Sequence, residues 1–137
     1  MRSSKPILLV EDDDVDQMVI ERAFKDLKIA NQLVKMANGE ETLEFLKTES
    51  NKKPCIILLD LNMPRMNGIE FLKILKADKA LKKIPVVVMT TSGAEQDIVE
   101  SFRLGATGYI VKSIDYKKSA ETIMAIDLCL SSSELSD

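Results

Sequence analysis

Short apolar runs alternate along the chain with longer segments in which charged and apolar residues are mixed. A run that is apolar at successive positions is typical of a parallel strand whose two faces are both covered by helices. Five runs predict strands: Ile7–Val10, Leu33–Met36, Cys55–Leu59, Val86–Met89 and Tyr109–Val111. The first, third and fourth are apolar on both faces. The charge of Lys35 inside the second run is typical of a strand at the edge of a sheet.

The intervening segments carry apolar residues at helical spacing and predict five helices. They cover residues 14–28, the segments that follow Asn38, Asn67 and Ser92, and residues 115–130. Asn38–Glu41 and Ser92–Glu95 have the pattern of a capping box, and Gly105 is suited to end the fourth helix. The positions predicted to face the core are Ile20, Ala23, Phe24 and Leu27; Leu43 and Leu46; Ile69, Leu72 and Leu75; Ile98, Val99 and Phe102; and Ala120, Ile123, Ile126 and Leu130.

The alternation of strands and helices indicates an α/β fold, a doubly wound five-stranded parallel sheet of (βα)5 type. The common order for five strands is the flavodoxin-like 2-1-3-4-5. In this order ligands bind at the carboxyl ends of the strands, near the switch point between the first and third. We predict a single domain over residues 1–137, with a core over about residues 5–130 and a polar tail at 131–137.

Composition narrows the range of functions. The chain has 137 residues, a formal net charge of −3 and no histidine. The lack of histidine excludes a Ser/His/Asp triad, a His-ligated zinc site and a histidine phosphocarrier. The acidic balance disfavours nucleic-acid binding. No apolar stretch is long enough for a signal peptide or a membrane helix, so we expect a cytoplasmic protein without membrane contact. Cys55 and Cys129 are predicted to be small core residues in a reducing compartment.

Polar side chains follow four of the predicted strands, whose carboxyl ends meet at one edge of the sheet. They are Glu11 to Asp14, Asp60 to Asn62, Thr90 to Ser92, and Lys112 with Ser113. Asp13, Asp14 and Asp16 have a structural explanation, because acids stabilise the start of a helix. Asp60 has none, since it ends an apolar strand where the gathered carboxylates repel one another and need a counter-charge.

Two counter-charges fit this edge of the sheet. Lys112 supplies an ammonium, and Mg²⁺ prefers one or two carboxylates together with waters and phosphate oxygens. Thr90 and Lys112 are then placed to hold a phosphoryl group carried on an aspartate. The residues therefore point to aspartyl-phosphate chemistry, in which a metal ion and an ammonium offset charge on the phosphoryl oxygens.

Four motifs containing these residues resemble the receiver domain of two-component response regulators. They are Leu9 to Asp13 (LVEDD), Leu59 to Gly68 (LDLNMPRMNG), Pro85 to Thr90 (PVVVMT) and Gly108 to Lys112 (GYIVK). The resemblance covers nearly the whole chain, and the motifs stand in order at the strand ends. It implies a stand-alone regulator that accepts a phosphoryl group from a histidine kinase and signals by protein–protein contact. Its only chemistry would be its own phosphorylation and dephosphorylation.

The resemblance also implies an Mg²⁺ site. Asp60 would be the phosphoacceptor. Asp12 and Asp60 would bind Mg²⁺ directly, Glu11 would act through water, and Asn62 would add its backbone carbonyl.

Activation is implied to involve three further residues. Thr90 would bond a phosphoryl oxygen, Lys112 would pair with the phosphoryl group, and Tyr109 would be the aromatic switch that moves inward with Thr90. The alternative for Tyr109 is an ordinary half-buried strand aromatic.

Lys112-Ser113 departs from the family, which usually has Lys-Pro with a cis bond at this point. Because a cis bond without proline costs roughly 2.5–4 kcal/mol, we predict a trans bond. Residues 59–92 and the Lys-Ser pair are similar to small regulators that serve phytochrome-type kinases. A regulator fed by another hybrid kinase is the alternative.

Two other functions of this fold class are disfavoured by the residues at the strand ends. Glu11 to Asp14 would repel the phosphate of a flavodoxin-type cofactor, and Asn62 stands where an aspartyl phosphatase needs a second acid. A phosphorylation-independent receiver-like binding module is the main alternative. The expected downstream partner is a protein target or a histidine phosphotransfer protein, met by the fourth helix, fifth strand and fifth helix. Met124 and Leu128 are either core residues or the surface of a homodimer.

Overall fold

A computed structural model defines the fold over residues 5–51, 53–61, 63, 66–90 and 94–111. Strands and helices alternate within these ranges: β1 (Ile7–Val10), α1 (Asp14–Asp26), β2 (Leu33–Met36), α2 (Gly39–Lys47), β3 (Ile56–Leu59), α3 (Gly68–Ala77), β4 (Val86–Thr90), α4 (Glu95–Arg103) and β5 (Gly108–Val111). The predicted helix over residues 115–130, the tail at 131–137 and Cys129 lie outside the described residues.

The five strands form one parallel sheet in the predicted order 2-1-3-4-5. Val10 is level with Met36 on one side and with Leu59 on the other, so β1, β2 and β3 end together. Leu59 is level with Val88, and β4 therefore extends two residues further, to Thr90. Lys35 lies on the edge strand β2 as predicted, and its ammonium is 2.8 Å from a carboxylate oxygen of Glu21.

Successive strand residues point to opposite faces and fill two separate cores. On one face, strand residues pack with the inward sides of α2 and α3; the fully buried members include Leu8, Val10, Ile57, Leu59, Phe71, Leu72 and Leu75. On the other face they pack with α1; the members include Ile7, Leu9, Cys55, Ile56, Leu58, Ile20, Ala23 and Phe24. Both faces of β1 and β3 are covered, which explains why the sequences of these two strands are apolar throughout.

Two helices begin at an asparagine N-cap, of which the one at Asn38 was predicted. The Asn38 side chain accepts a hydrogen bond from the Glu41 backbone N–H at 2.8 Å, and Asn67 accepts from the Glu70 N–H at 2.9 Å. Gly105 ends α4 with a φ of +102°, in the left-handed region that glycine favours. None of the described helices is long and apolar enough to cross a membrane.

The predictions for α4 were wrong in two respects. The helix begins at Glu95 with Ala94 as N-cap, which makes no side-chain capping bond, so Ser92 to Glu95 is not its capping box. Val99 and Phe102 were predicted to face the core but are 49% and 48% exposed, whereas Ser101 is fully buried. Residues two apart on a helix point about 200° apart, so Val99 cannot face inward together with Ser101.

Candidate functional site

The site lies at the carboxyl edge of the sheet, where β1, β3 and β4 end. The backbone N–H of Asp60 donates to the Val10 carbonyl at 3.0 Å, and that of Glu11 donates to the Met36 carbonyl at 2.9 Å. These bonds continue the ladders one residue past the strands. They fix Glu11 and Asp60 side by side, as the predicted strand order requires.

Three carboxylates converge at this edge. Glu11, Asp12 and Asp60 each offer an oxygen, and these oxygens lie within 4.8 Å of one another. Glu11 and Asp60 are only 1% and 6% exposed, while Asp12 is open to solvent. Hard oxygen ligands at this separation suit a divalent cation, which would offset the repulsion among them and bring its own waters through the open side at Asp12.

The loop between β1 and α1 is ordered by its own hydrogen bonds. The backbone N–H of Asp13 donates to the Glu11 carboxylate at 3.2 Å, and the Gln17 side-chain amide donates to the Glu11 carbonyl oxygen. The Asp13 side chain caps α1 by accepting from the N–H groups of Val15 at 2.8 Å and Asp16 at 3.0 Å. The structural explanation of Asp13 is confirmed. Gln17 holds the main chain of Glu11 and was missed in the sequence.

The start of α3 sits directly against the backbone of Asp60. The N–H of Gly68 donates to the Leu61 carbonyl at 2.9 Å. A β-carbon added at Gly68 would lie 2.6 Å from the carbonyl oxygen of Asp60 and 2.6 Å from the α-carbon of Leu61. Only glycine allows this approach. Gly68 therefore helps to place the Asp60 side chain, a role that the sequence analysis did not assign.

Thr90 and Tyr109 lie on the same face of the sheet. Thr90 is fully buried at the end of β4, and Val88, two residues earlier, is level with Tyr109 on β5. Residues two apart on a strand share a face, so Tyr109 lies diagonally behind Thr90. Its ring is half-buried and packs against the core that contains Val88. The location suits a switch pair, and the coupling between the two side chains stays a prediction.

Several predicted site residues fall outside the part of the chain that the structure describes. They are Asn62, Lys112 and Ser113, together with Met124 and Leu128 of the last predicted helix. The predicted trans bond between Lys112 and Ser113 stays a prediction for the same reason. Cys55 is buried beside the α1 core, as predicted for a small core residue.

The fold and the acidic edge together define a receiver domain of the two-component type. Residues 7–124 match the response regulator receiver domain family, and the chain belongs to this family. The predicted family and fold are therefore confirmed. Receiver domains are signalling components, not enzymes with an external substrate, and they interact with histidine kinases and downstream targets.

Among its relatives is the response regulator Rcp1 of Synechocystis sp. The two are 36% identical over 127 residues, which cover 90% of this chain and 86% of Rcp1. The structure of the phosphorylated cyanobacterial phytochrome response regulator RcpA superposes with a TM-score of 0.84 at 36% identity, over 91% of this chain and 92% of RcpA. The Mn²⁺-bound form of Rcp1 superposes with a TM-score of 0.82 at 36% identity, over 90% of this chain and 91% of Rcp1.

Proposed function

We propose that Asp60 accepts a phosphoryl group from a histidine kinase in the presence of Mg²⁺. The observation that carries this proposal is the convergence of Glu11, Asp12 and Asp60, two of them buried, at one edge of the sheet. Buried like charges are costly unless a cation neutralises them. A structural role does not require this arrangement, because Asp13 alone caps α1.

The transfer is a substitution at phosphorus. A carboxylate oxygen of Asp60 attacks the phosphorus of a phosphohistidine; a P–O bond forms as the P–N bond breaks, and the imidazole leaves. Asp12 and Asp60 would hold Mg²⁺ directly, with Glu11 acting through water and Asn62 through its backbone carbonyl. When bound, Mg²⁺ supplies positive charge that offsets the charge on the phosphoryl oxygens.

Thr90 and Lys112 would hold the transferred group. The Thr90 hydroxyl is buried at the end of β4, on the strand next to β3, and would donate to a phosphoryl oxygen. Lys112 directly follows β5 in the sequence and would pair with a second oxygen. Movement of Thr90 toward the phosphoryl group would open space that Tyr109 fills. Attack of water on the phosphorus would then break the P–O bond to Asp60 and release inorganic phosphate, so self-phosphotransfer and autodephosphorylation are its only reactions.

The signal would pass by protein contact in the cytoplasm. Val99 and Phe102 of α4 and Val111 of β5 are about half exposed, which supports the predicted contact face of the fourth helix, fifth strand and fifth helix. The partner there would be a downstream protein, a histidine phosphotransfer protein or a second copy of the chain. The name of RcpA supports a phytochrome-type kinase as the phosphodonor.

The experiment is intact-mass measurement after incubation with Mg²⁺ and acetyl phosphate. The wild type should gain one phosphoryl group, and Asp60→Asn should gain none while keeping its fold, because the amide preserves shape but removes the nucleophile. Asp14→Asn is the matched control, since Asp14 lies in the first turn of α1 outside the carboxylate cluster. Uptake by Asp60→Asn at the wild-type rate would refute the assignment. No uptake by the wild type would favour a phosphorylation-independent module.

Metal binding is tested separately by thermal melting with and without Mg²⁺. A ligand that binds only the folded state at about 100 times its Kd stabilises by about 2.7 kcal/mol. The wild type should therefore melt at a higher temperature with Mg²⁺, and Asp12→Ala should lose most of that shift. Equal shifts in the two proteins would place the metal away from this cluster.

A further inference from the structure

Charge is distributed unevenly between the two edges of the sheet. Each described helix carries acids in its first turn and a base in its last: Asp14, Asp16 and Lys25 in α1; Glu40, Glu41 and Lys47 in α2; Glu70 and Lys76 in α3; Glu95, Asp97 and Arg103 in α4. The helices run opposite to the strands, so their acidic ends lie at the site edge and their basic ends at the other edge. The helix dipole explains this distribution, because it favours acids at the start of a helix and bases at its end.

The connection from α3 to β4 carries more positive charge than helix dipoles explain. The connection, residues 78–85, contains three lysines and one acid, in a chain whose net charge is −3. Lys79, Lys82 and Lys83 come after the end of α3, and all three are exposed. Within the described ranges none of the three has a salt-bridge partner. We call these three residues the α3–β4 lysine patch.

The backbone beneath the patch is held in place. The Asp78 carboxylate accepts from the N–H groups of Ala80 at 2.8 Å and Leu81 at 3.2 Å, so the acid of this segment is turned inward to its own loop. The Lys76 ammonium donates to the carbonyls of Lys82 at 2.9 Å and Ile84 at 3.0 Å. Because the loop is already ordered, binding of a partner to its lysines does not carry the entropic cost of ordering the backbone.

We propose that the α3–β4 lysine patch is a docking surface for an acidic segment of a partner protein. Complementary charge on an ordered surface speeds encounter and fixes orientation. A bilayer fits less well, because Leu81 and Ile84, the large apolar residues of the loop, are 2% and 8% exposed and cannot insert.

The patch is separated from the phosphorylation edge by the full length of β4, five residues or roughly 17 Å. A partner held at the patch therefore leaves Asp60 and Asp12 accessible. This surface is distinct from the face formed by α4 and β5, and the proposal does not depend on phosphorylation.

The test measures binding of a fluorescein-labelled octaglutamate peptide to the full chain by anisotropy, at about 50 and about 150 mM salt. The triple variant Lys79→Glu/Lys82→Glu/Lys83→Glu should bind at least about tenfold more weakly than the wild type. The matched control is Lys25→Glu/Lys28→Glu/Lys47→Glu. It makes the same change in net charge at exposed lysines of the same edge, and should lose less than about threefold. Lys79→Gln/Lys82→Gln/Lys83→Gln serves if the first variant does not fold.

Each outcome decides. If the two triple variants lose the same affinity for the peptide, the peptide is attracted by the positive charge of the whole basic edge. This result would overturn the proposal of a local site. Failure of the wild type to bind the peptide would overturn the proposal. Patch-dependent binding to vesicles containing phosphatidylserine would in that case assign the patch to a membrane. Phosphoryl uptake from acetyl phosphate should be unchanged in the patch variants, so loss of docking is distinguishable from failure at Asp60.

Discussion

Replacement of Gly68 by alanine tests how α3 is fitted against the phosphorylation site. The new β-carbon would meet two backbone atoms at 2.6 Å, the Asp60 oxygen and the Leu61 α-carbon, and the Leu61 Cδ2 at 2.9 Å. Backbone atoms cannot move aside by changing rotamer, so the start of α3 must shift. Overpacking of this kind costs about 1–3 kcal/mol. The better helix propensity of alanine and the lower entropy of its unfolded chain offset about 0.5–1 kcal/mol of that loss in unfolding free energy.

Gly39→Ala is a matched control. Gly39 and Gly68 are each the first residue of a helix and follow an asparagine N-cap. A β-carbon at Gly39 would meet only the side chain of Met66, with the sulfur at 3.0 Å. A methionine side chain is flexible and can give way. We therefore expect Gly39→Ala to lie within about 1 kcal/mol of the wild type.

Urea unfolding distinguishes the two variants. With m of about 2 kcal/mol/M, the net loss of about 1 kcal/mol in Gly68→Ala lowers the midpoint by about 0.5 M. The shift of α3 should also displace the Asp60 backbone and slow phosphoryl uptake in the mass assay, whereas Gly39→Ala should react at the wild-type rate. If Gly68→Ala is as stable as Gly39→Ala and reacts as fast, the close approach does not constrain the site.

Three further predictions concern stability. Lys28 ends α1 with a φ of +56°, a conformation that costs a non-glycine residue about 1 kcal/mol, so Lys28→Gly should raise the urea midpoint; a lower midpoint would refute this. The hydroxyl of Ser101 is buried without a hydrogen-bond partner in the described structure, so Ser101→Ala should melt at the same or a higher temperature, and a loss above about 1 kcal/mol would contradict it. Burial lowers the pKa of Lys76 below 10.5, so the unfolded chain binds more protons as the pH approaches that value. The unfolding free energy of the wild type should therefore rise with pH relative to Lys76→Met between pH 7 and 10, and a flat or falling difference would count against this burial.

The sequence allowed most of the fold to be predicted because its local signals agree with one another. Short apolar runs marked every strand, and the charge of Lys35 within one of them marked the edge strand. Asn38 and Asn67 marked two helix starts, since asparagine satisfies N–H groups that a helix start leaves open. Strand order followed from the common solution for five parallel strands.

The orientation of α4 could not be predicted in the same way. Its apolar residues, Ile98, Val99 and Phe102, lie within about 100° of one another on one side of the helix, yet a serine takes the buried position. The apolar period alone favoured the wrong face. Which face a short helix buries depends on the space left by α3 and β5, a property of tertiary packing.

The residues of the site also divide into those that the sequence predicts and those that it does not. The convergence of Glu11, Asp12 and Asp60 could be predicted, because the carboxyl ends of parallel strands meet at one edge whatever the details of packing. Gly68 and Gln17 could not be assigned roles, because each depends on the distance between two elements. The Asn67-Gly68 pair carried a partial signal, in that glycine directly after a capping asparagine is not needed for the helix itself.

The carboxylate cluster links the stability of the domain to its chemistry. Glu11 and Asp60 are held side by side because their backbone N–H groups donate to the carbonyls of Met36 on β2 and Val10 on β1. Their repulsion is therefore built into the folded state and is released when the chain unfolds. A bound cation removes that repulsion, and it does so only in the folded state. Relief of the repulsion therefore adds to the free energy of cation binding. The same argument predicts that a neutral side chain at position 60 stabilises the apo protein and weakens cation binding together.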